Sequence, residues 1–210
     1  MTGSGPSSRA TKGRPGPHPP PPSDLSSRRL PLERIGGPLF RVHASRHGVL
    51  HFGTSGDNRF DDPHRAYGVI YAGLSAACAF IETFSDPLDV PFVTEAQLAQ
   101  RKLSRIEVLA PLLLVDLRGS HLRRLGADAR LFAGDHAPAQ LWSRAFFDHP
   151  ARPDGLLYRA RHDAGEYSAA LFDRAKPSVR AQTARATLAS PGTRPLLAGL
   201  LGKYGLGLVP

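Results

Sequence analysis

The chain has 210 residues, enough for one well-buried domain plus a tail and too few for two domains of ordinary size. Its 41% hydrophobic and 21% charged content is ordinary for a globular protein, and its single cysteine, Cys78, excludes an intramolecular disulfide framework. The formal charge of +9 invites a nucleic-acid reading, yet residues 1–37 hold six Lys or Arg against Asp24 and Glu33, a net of +4, leaving only +5 for the rest.

No basic run with interleaved aromatics follows, so direct nucleic-acid binding is not expected. No stretch approaches the roughly 20 apolar residues that cross a bilayer. The N-terminus lacks an apolar signal-type core, and the cysteine usage fits a reducing compartment, so the expected location is the cytoplasm.

Residues 1–37 are rich in Pro, Gly and Ser, with four consecutive prolines at 19–22. Such a composition buries too little apolar surface to offset its ordering entropy. A disordered tail of polyproline II character is expected, one whose removal leaves activity unchanged. Residues 38–210 are the expected folded domain. Leu39 to His43 alternates apolar and polar residues and predicts a strand. Gly48 to Pro63 is turn-rich, Val69 to Tyr71 a short strand, and Leu74 to Phe84 a helix. In that helix Leu74, Ala77, Cys78, Ile81 and Phe84 form an apolar face with Glu82 at its edge.

Thr94-Glu-Ala-Gln97 has the form of a capping box and predicts a helix through about Lys102. Strands are expected at Leu103 to Val108 and at Leu112 to Leu117, the second almost wholly apolar and therefore central. Pro138 to Phe147 reads as a helix with Leu141, Trp142, Ala145 and Phe146 inward. Strands at Gly155 to Tyr158 and Ser168 to Phe172 follow, then a leucine-bearing helix from Arg194. Helices and strands mix without βαβ alternation, so the expected class is α+β, a single domain with a mixed or antiparallel β core and flanking helices.

The stretch from Arg41 to Glu82 interleaves Arg41-Val-His43, Gly53-Thr-Ser-Gly56-Asp-Asn-Arg59-Phe60-Asp61, Tyr67-Gly-Val-Ile-Tyr71 and Ala79-Phe-Ile-Glu82. Guanidinium forks suit phosphates, an aromatic face suits a planar base, and a carboxylate suits developing positive charge. In that reading Arg41 and Arg59 hold a pyrophosphate, Tyr71 meets a ribose, Glu82 stabilises an oxocarbenium ion, and Gly53 and Gly56 admit close backbone approach. Each residue has a plainer explanation. Arg41 could pair with Asp61 at the surface, Tyr67 and Tyr71 could be core aromatics, and Glu82 could face solvent. His43, His47 and His51 fall across a strand and a turn without a Cys or acidic partner, so no metal is expected. No G-x-G-x-x-G, P-loop or G-x-S-x-G motif is present.

Taken in order, these segments resemble the RES domain family of NAD-degrading toxins. The similarity includes Arg41-Val-His43, Arg59-Phe60-Asp61, Ile70-Tyr71-Ala72 and Ala79-Phe-Ile-Glu82. It continues through Gly155-Leu-Leu-Tyr158-Arg159-Ala160-Arg161-His162 and Ala169-Ala-Leu171-Phe172-Asp173, spanning about residues 38–208. The resemblance implies a fold similar to ADP-ribosyltransferase toxins and cleavage of NAD at the nicotinamide–ribose bond, with water or inorganic phosphate as acceptor. It also implies a helix-turn-helix antitoxin as partner, and a homo-oligomer is compatible with it.

It further implies catalytic roles for Glu82, Arg59 and Tyr71, and ligand binding by Arg41, His43, Arg59, Tyr71, Gly53, Gly56, Tyr158, Ala160 and Arg161. One position departs: Ala160 stands where the family carries its serine. A missing hydrogen bond there costs about 0.5–1.5 kcal/mol. Two alternatives accompany this reading: ADP-ribose transfer to a macromolecule, or a degenerate domain that binds NAD, ADP-ribose or a partner without turnover.

Overall fold

The structure, a computed structural model, describes residues 18–85 and 90–210. Through them run β1 (Leu32–Ile35), β2 (Leu39–Ala44), β3 (Val69–Gly73), α1 (Ala76–Phe84), β4 (Phe92–Thr94), α2 (Glu95–Ala99), β5 (Arg101–Val108) and β6 (Leu112–Asp116). Then come α3 (His121–Leu125), α4 (Arg130–Ala133), α5 (His136–Phe147), β7 (Gly155–Arg159), β8 (Tyr167–Phe172), β9 (Val179–Gln182), α6 (Arg194–Tyr204) and β10 (Gly207–Val209). Local chemistry explains the boundaries. The Ser75 hydroxyl caps α1 by accepting from the Cys78 N–H at 2.9 Å. Thr94 and Gln97 close a reciprocal capping box on α2.

The capping box lies where the sequence places it, but α2 stops at Ala99 and does not reach Lys102. From Arg101 the chain instead pairs antiparallel with β2, from Ala44↔Arg101 to Leu39↔Ile106. Pairing of this segment along the whole of β2, with Ile106 fully buried, outweighs another helical turn. In α5, Trp142 and Phe146 are fully buried as expected, whereas Leu141 is 47% exposed.

Eight strands form one sheet in the order β1-β6-β7-β8-β3-β2-β5-β9, and β10 with β4 forms a small parallel pair. Among the described residues, β6 and β7 are the one parallel pair of the large sheet, across the crossover that carries α3, α4 and α5. The class is α+β and antiparallel-rich. The apolar β6 lies inside the sheet between β1 and β7.

Strand alternation sends side chains to two cores. One holds Phe60, Tyr67, Val69, Trp142, Phe146 and Phe172, and the other holds Leu39, Ile70, Ile106, Leu114 and Leu171. A third, smaller cluster packs Phe80 of α1 against Val93, Leu98, Leu197 and Leu200.

The tail expected at residues 1–37 is corrected in its second half, and residues 1–17 lie outside the described residues. Leu25 and Leu30 are buried in the first core, and β1 adds an edge strand from Leu32↔Val115 to Ile35↔Leu112. The proline run is docked on α5, with the Trp142 indole N–H donating to the Pro19 carbonyl at 2.9 Å. His18 stands edge-on to the same indole at 5.7 Å. Composition misled because a few apolar residues, Leu25 and Leu30 among them, reach the first core and bury enough surface to hold the segment. Leu30→Ala is accordingly expected to cost about 2–5 kcal/mol in urea denaturation. A chain beginning at residue 38 should melt well below the full chain, and equal midpoints would remove β1 and the Leu25–Leu30 segment from the folding unit.

Candidate active site

A cleft forms where two neighbouring strands part. β2 and β3 share a single register pair, Phe40↔Gly73, after which β2 follows β5 and β3 follows β8. The resulting cavity of about 360 Å³ is walled by Arg41 and Val42 on one strand and by Tyr71, Ala72 and Gly73 on the other. Gly73 also sets the third wall. A Cβ at this position would lie 2.6 Å from the Ala79 nitrogen and 2.7 Å from Cys78 Cβ. Only a glycine lets α1 come this close, and the approach brings Ala79, Glu82 and Thr83 to the cavity.

Glu82 Oε1 accepts a hydrogen bond from the His162 main-chain N–H at 2.9 Å. That nitrogen belongs to the turn between β7 and β8, which also brings Arg161 to the cavity. A helix and a turn 80 residues apart therefore fix one carboxylate.

The segment between Gly53 and Tyr67 carries Asn58 and Arg59 to the opposite side. It is organised around Asp61, which is 1% exposed. Asp61 Oδ2 accepts from the Asn58 N–H at 3.1 Å, the Asn58 amide at 2.8 Å and the Ser55 hydroxyl at 3.3 Å. Its Oδ1 accepts from the Tyr71 hydroxyl at 3.0 Å, and Tyr71 Oη in turn accepts from the Phe60 N–H at 2.8 Å. From α5, Gln140 donates to the Gly56 and Asn58 carbonyls, and Ser143 donates to the Phe60 carbonyl. Arg59 donates to the Gly134 carbonyl at 2.8 Å, tying this segment to the α4–α5 connection.

Among the described residues, four arginines, Arg41, Arg59, Arg159 and Arg161, line the cavity against one carboxylate, Glu82. Burial lowers Arg41 to about 10, and it stays charged at neutral pH. Arg59 is lowered by burial first and by Arg161 second. Tyr71 is raised well above its ordinary value by burial and then by Asp61, and burial likewise raises Tyr158, so both are neutral phenols at pH 7. Tyr158 meets Phe60 edge-on at 5.0 Å and lies nearly parallel to Phe132, at 13° and 5.7 Å. The lining therefore combines excess positive charge, an aromatic wall and one acid, a combination suited to a phosphorylated ligand with a flat ring.

Of the residues read from sequence, Arg41, Arg59, Tyr71, Glu82, Tyr158 and Arg161 all line this cavity. Four others are elsewhere. His43 is buried with Nε2 2.9 Å from the Ser104 hydroxyl, and its burial lowers its pKa. Gly53 bridges Val69 through two main-chain hydrogen bonds. Gly56 adopts φ +81° to turn the loop, and its carbonyl is taken by Gln140. Ala160 is buried outside the lining, its N–H bonded to the Glu166 carbonyl at 3.0 Å.

The plainer pairing of Arg41 with Asp61 does not occur. Arg41 donates instead to the Val49 and His51 carbonyls. Tyr67, by contrast, is a core aromatic, stacked on Phe147 at 3.7 Å.

Asn58, Phe132, His136, Arg159 and His162 line the cavity without having been singled out, and Ser168, the residue whose hydroxyl could stand in for the one Ala160 lacks, lines it as well. Ser168 was readable through β8 alternation, because it pairs with Tyr158 and faces the same side. Phe132 carried no signal because α4 is a four-residue helix, and His136 lies at the very start of α5, ahead of the Pro138 where the sequence places that helix. Among the described residues no group of three or more His, Cys, Asp or Glu is placed to hold a metal ion, and no helix is long and apolar enough to cross a membrane. Tyr71→Phe leaves a buried Asp61 oxygen and the Phe60 N–H without their partner, so a loss of about 1–3 kcal/mol is expected in urea denaturation. An unchanged midpoint would show that this hydroxyl does not hold the loop.

Comparison with known proteins accords with this geometry. A family model described as the RES domain matches residues 32–191. A protein named "Probable toxin y4kH" from Sinorhizobium fredii (strain NBRC 101917 / NGR234) is 38% identical over 90 residues, covering 42% of this chain and 69% of that one. A solved structure of the M. tuberculosis MbcT–MbcA toxin–antitoxin complex superimposes with a TM-score of 0.64 at 17% identity, covering 84% of this chain and 98% of the other. At that identity the likeness speaks for the fold, while the match over most of the sheet and all three walls of the cavity settles membership: the chain belongs to the RES domain family.

Proposed function

We propose that this RES protein is a toxin-like enzyme that consumes NAD by cleaving the bond between nicotinamide and ribose. The carrying observation is Glu82, the one carboxylate among the described residues that line the cavity, held by a main-chain N–H beside four arginines and the rings of Tyr71, Phe132 and Tyr158. Nicotinamide bound to ribose is already cationic and leaves as a neutral base, so no general acid is required. Positive charge develops instead on the ribose, and a carboxylate fixed beforehand stabilises it without reorganising. Among the described residues no hydrogen bond other than that from His162 reaches Glu82, which leaves acceptor capacity for ribose hydroxyls. Arg41, Arg59 and Arg161 hold the pyrophosphate by charge-assisted hydrogen bonds, and the neutral phenols of Tyr71 and Tyr158 line the ribose and ring end.

The acceptor is water or inorganic phosphate, and the reaction belongs to the cytoplasm, where it depletes cellular NAD. Ser168 supplies the hydroxyl that Ala160 lacks: it is buried, lines the cavity and lies opposite Tyr158. By analogy with the toxin–antitoxin complex that shares this fold, a protein antitoxin is the natural partner, one that covers the cleft.

Chromatography of nicotinamide released from NAD, with and without phosphate, tests the reaction directly. Glu82→Gln should lower release by on the order of 10²-fold or more while NAD still raises the melting temperature. Full activity in that variant would overturn the role of Glu82. Ser168→Ala should slow release about tenfold, whereas Ala160→Ser should change it little. Label from NAD accumulating on protein or RNA would establish ADP-ribose transfer. NAD binding without release in any acceptor would establish a binding domain.

A further inference from the structure

The turn that holds Glu82 is itself anchored from the last helix, outside the residues matched by the family model. Residues 160–166 form a compact turn whose bonds are mostly internal. Asp163 Oδ1 accepts from the Gly165 N–H at 2.9 Å, the Asp163 carbonyl accepts from the Glu166 N–H at 3.0 Å, and the Arg159 side chain donates to the Ala164 carbonyl at 2.6 Å. These bonds shape the turn without attaching it to α1, where Glu82 resides. Attachment to the start of α1 is made by the Leu74 N–H and the Cys78 thiol, which both donate to the Tyr167 carbonyl, at 2.9 and 3.1 Å, and by Ser75 through Glu166; Lys203 and Tyr204 at the end of α6 add a further tie to the same turn. Lys203 Nζ donates to Glu166 Oε1 at 2.7 Å and lies 3.2 Å from Asp163 Oδ2, and the Tyr204 hydroxyl donates to that same Oδ2 at 3.0 Å. The other oxygen of Glu166 accepts from the Ser75 hydroxyl at 2.6 Å, and Ser75 caps α1. One ammonium group therefore bears on a carboxylate that touches both the helix carrying Glu82 and the turn whose N–H meets Glu82.

We infer that Lys203, assisted by Tyr204, is a positioning residue: it fixes the β7–β8 turn against α1 so that the His162 N–H and Glu82 stay in register. The role rests on the proposed NAD cleavage for its catalytic consequence and on geometry alone for its placement. A structural explanation is weaker. The Lys203 side chain is 43% exposed, and ion pairs at that exposure contribute little to global stability. Nothing in the third apolar cluster needs the ammonium, since α6 is buried there through Leu197 and Leu200. What the ammonium does is reach across 37 positions of sequence to the turn beside the cavity. The sequence marks α6 only as a leucine-bearing helix, without a part in the site.

The test uses the full chain and the variants Lys203→Met, Lys203→Arg and Tyr204→Phe. Lys203→Met should leave the melting temperature nearly unchanged and KM for NAD within about threefold. Its kcat for nicotinamide release should fall by about 10- to 100-fold, the scale expected for a small misplacement of a reacting group. Lys203→Arg should restore most of kcat, and Tyr204→Phe should give a smaller loss of the same kind.

Hydrogen–deuterium exchange reads the placement independently. The His162 amide should exchange faster in Lys203→Met than in the wild-type chain and return toward normal in Lys203→Arg. Unchanged exchange at His162, or an unchanged kcat despite faster exchange, overturns the positioning role. Should the wild-type chain release no nicotinamide, it is the reading of the reaction that fails, and the exchange data still decide whether Lys203 holds the turn.

Discussion

The site depends on the close approach of α1 to β3 at Gly73. With any side chain at this position the helix would have to lift by several tenths of an ångström or more, because a Cβ would fall within 2.8 Å of Ala79, Cys78 and Ser75 atoms. The approach fixes the height of Glu82 above the strand that carries Tyr71. It also lets the Ser75 cap reach Glu166, so the same contact connects α1 to the turn bearing Arg161 and His162. A cavity built on such an approach has one wall set by close main-chain packing, an arrangement in which a carboxylate is held in place before the charge it stabilises has formed.

Charge in the molecule is divided between two kinds of carboxylate. Asp61 is buried and fully engaged with Tyr71, Asn58 and Ser55, so it organises the backbone and is unavailable to a ligand. Asp62 is similar, accepting from the Ala66 N–H and paired with Arg144. Glu82 takes one main-chain N–H and faces the arginines. Two acidic residues in the same motif-rich stretch thus have opposite duties, decided by how many donors the fold aims at each. The difference follows from the cost of leaving a buried carboxylate short of partners, which a loop must meet before it can be ordered at all.

Most elements with clear periodicity were legible: β2, β3, α1, β5 through β8, α5 and α6 lie close to their expected positions. Of the site, the residue types that bind charge and rings were legible too, since Arg41, Arg59, Tyr71, Glu82, Tyr158 and Arg161 meet in one cavity. The failures have specific causes. Composition concealed the docking of residues 18–35, because Leu25, Leu30 and the Pro19 carbonyl matter only through the groove beside Trp142. Gly53, Gly56 and His43 sit in the right segments for a ligand but are spent on a β-bridge, a turn and a hydrogen bond to Ser104. Phe132 belongs to a helix too short for periodicity to mark, and His136 stands at the first position of α5, before its apolar face begins.

By itself the sequence determined the class of the fold, the identity of its longer elements and the chemistry available to the site. These depend on side-chain type and on spacings of two to four residues, which are properties of the local chain. Tertiary structure alone decided which polar groups remain free to act. Asp61 and Glu82 look equally available in sequence. One is consumed by a loop, and the other is presented by a turn 80 residues away that Lys203 holds in place. That choice depends on strands parting after Phe40↔Gly73 and on a helix resting on a glycine, and no local pattern encodes where two distant segments will meet.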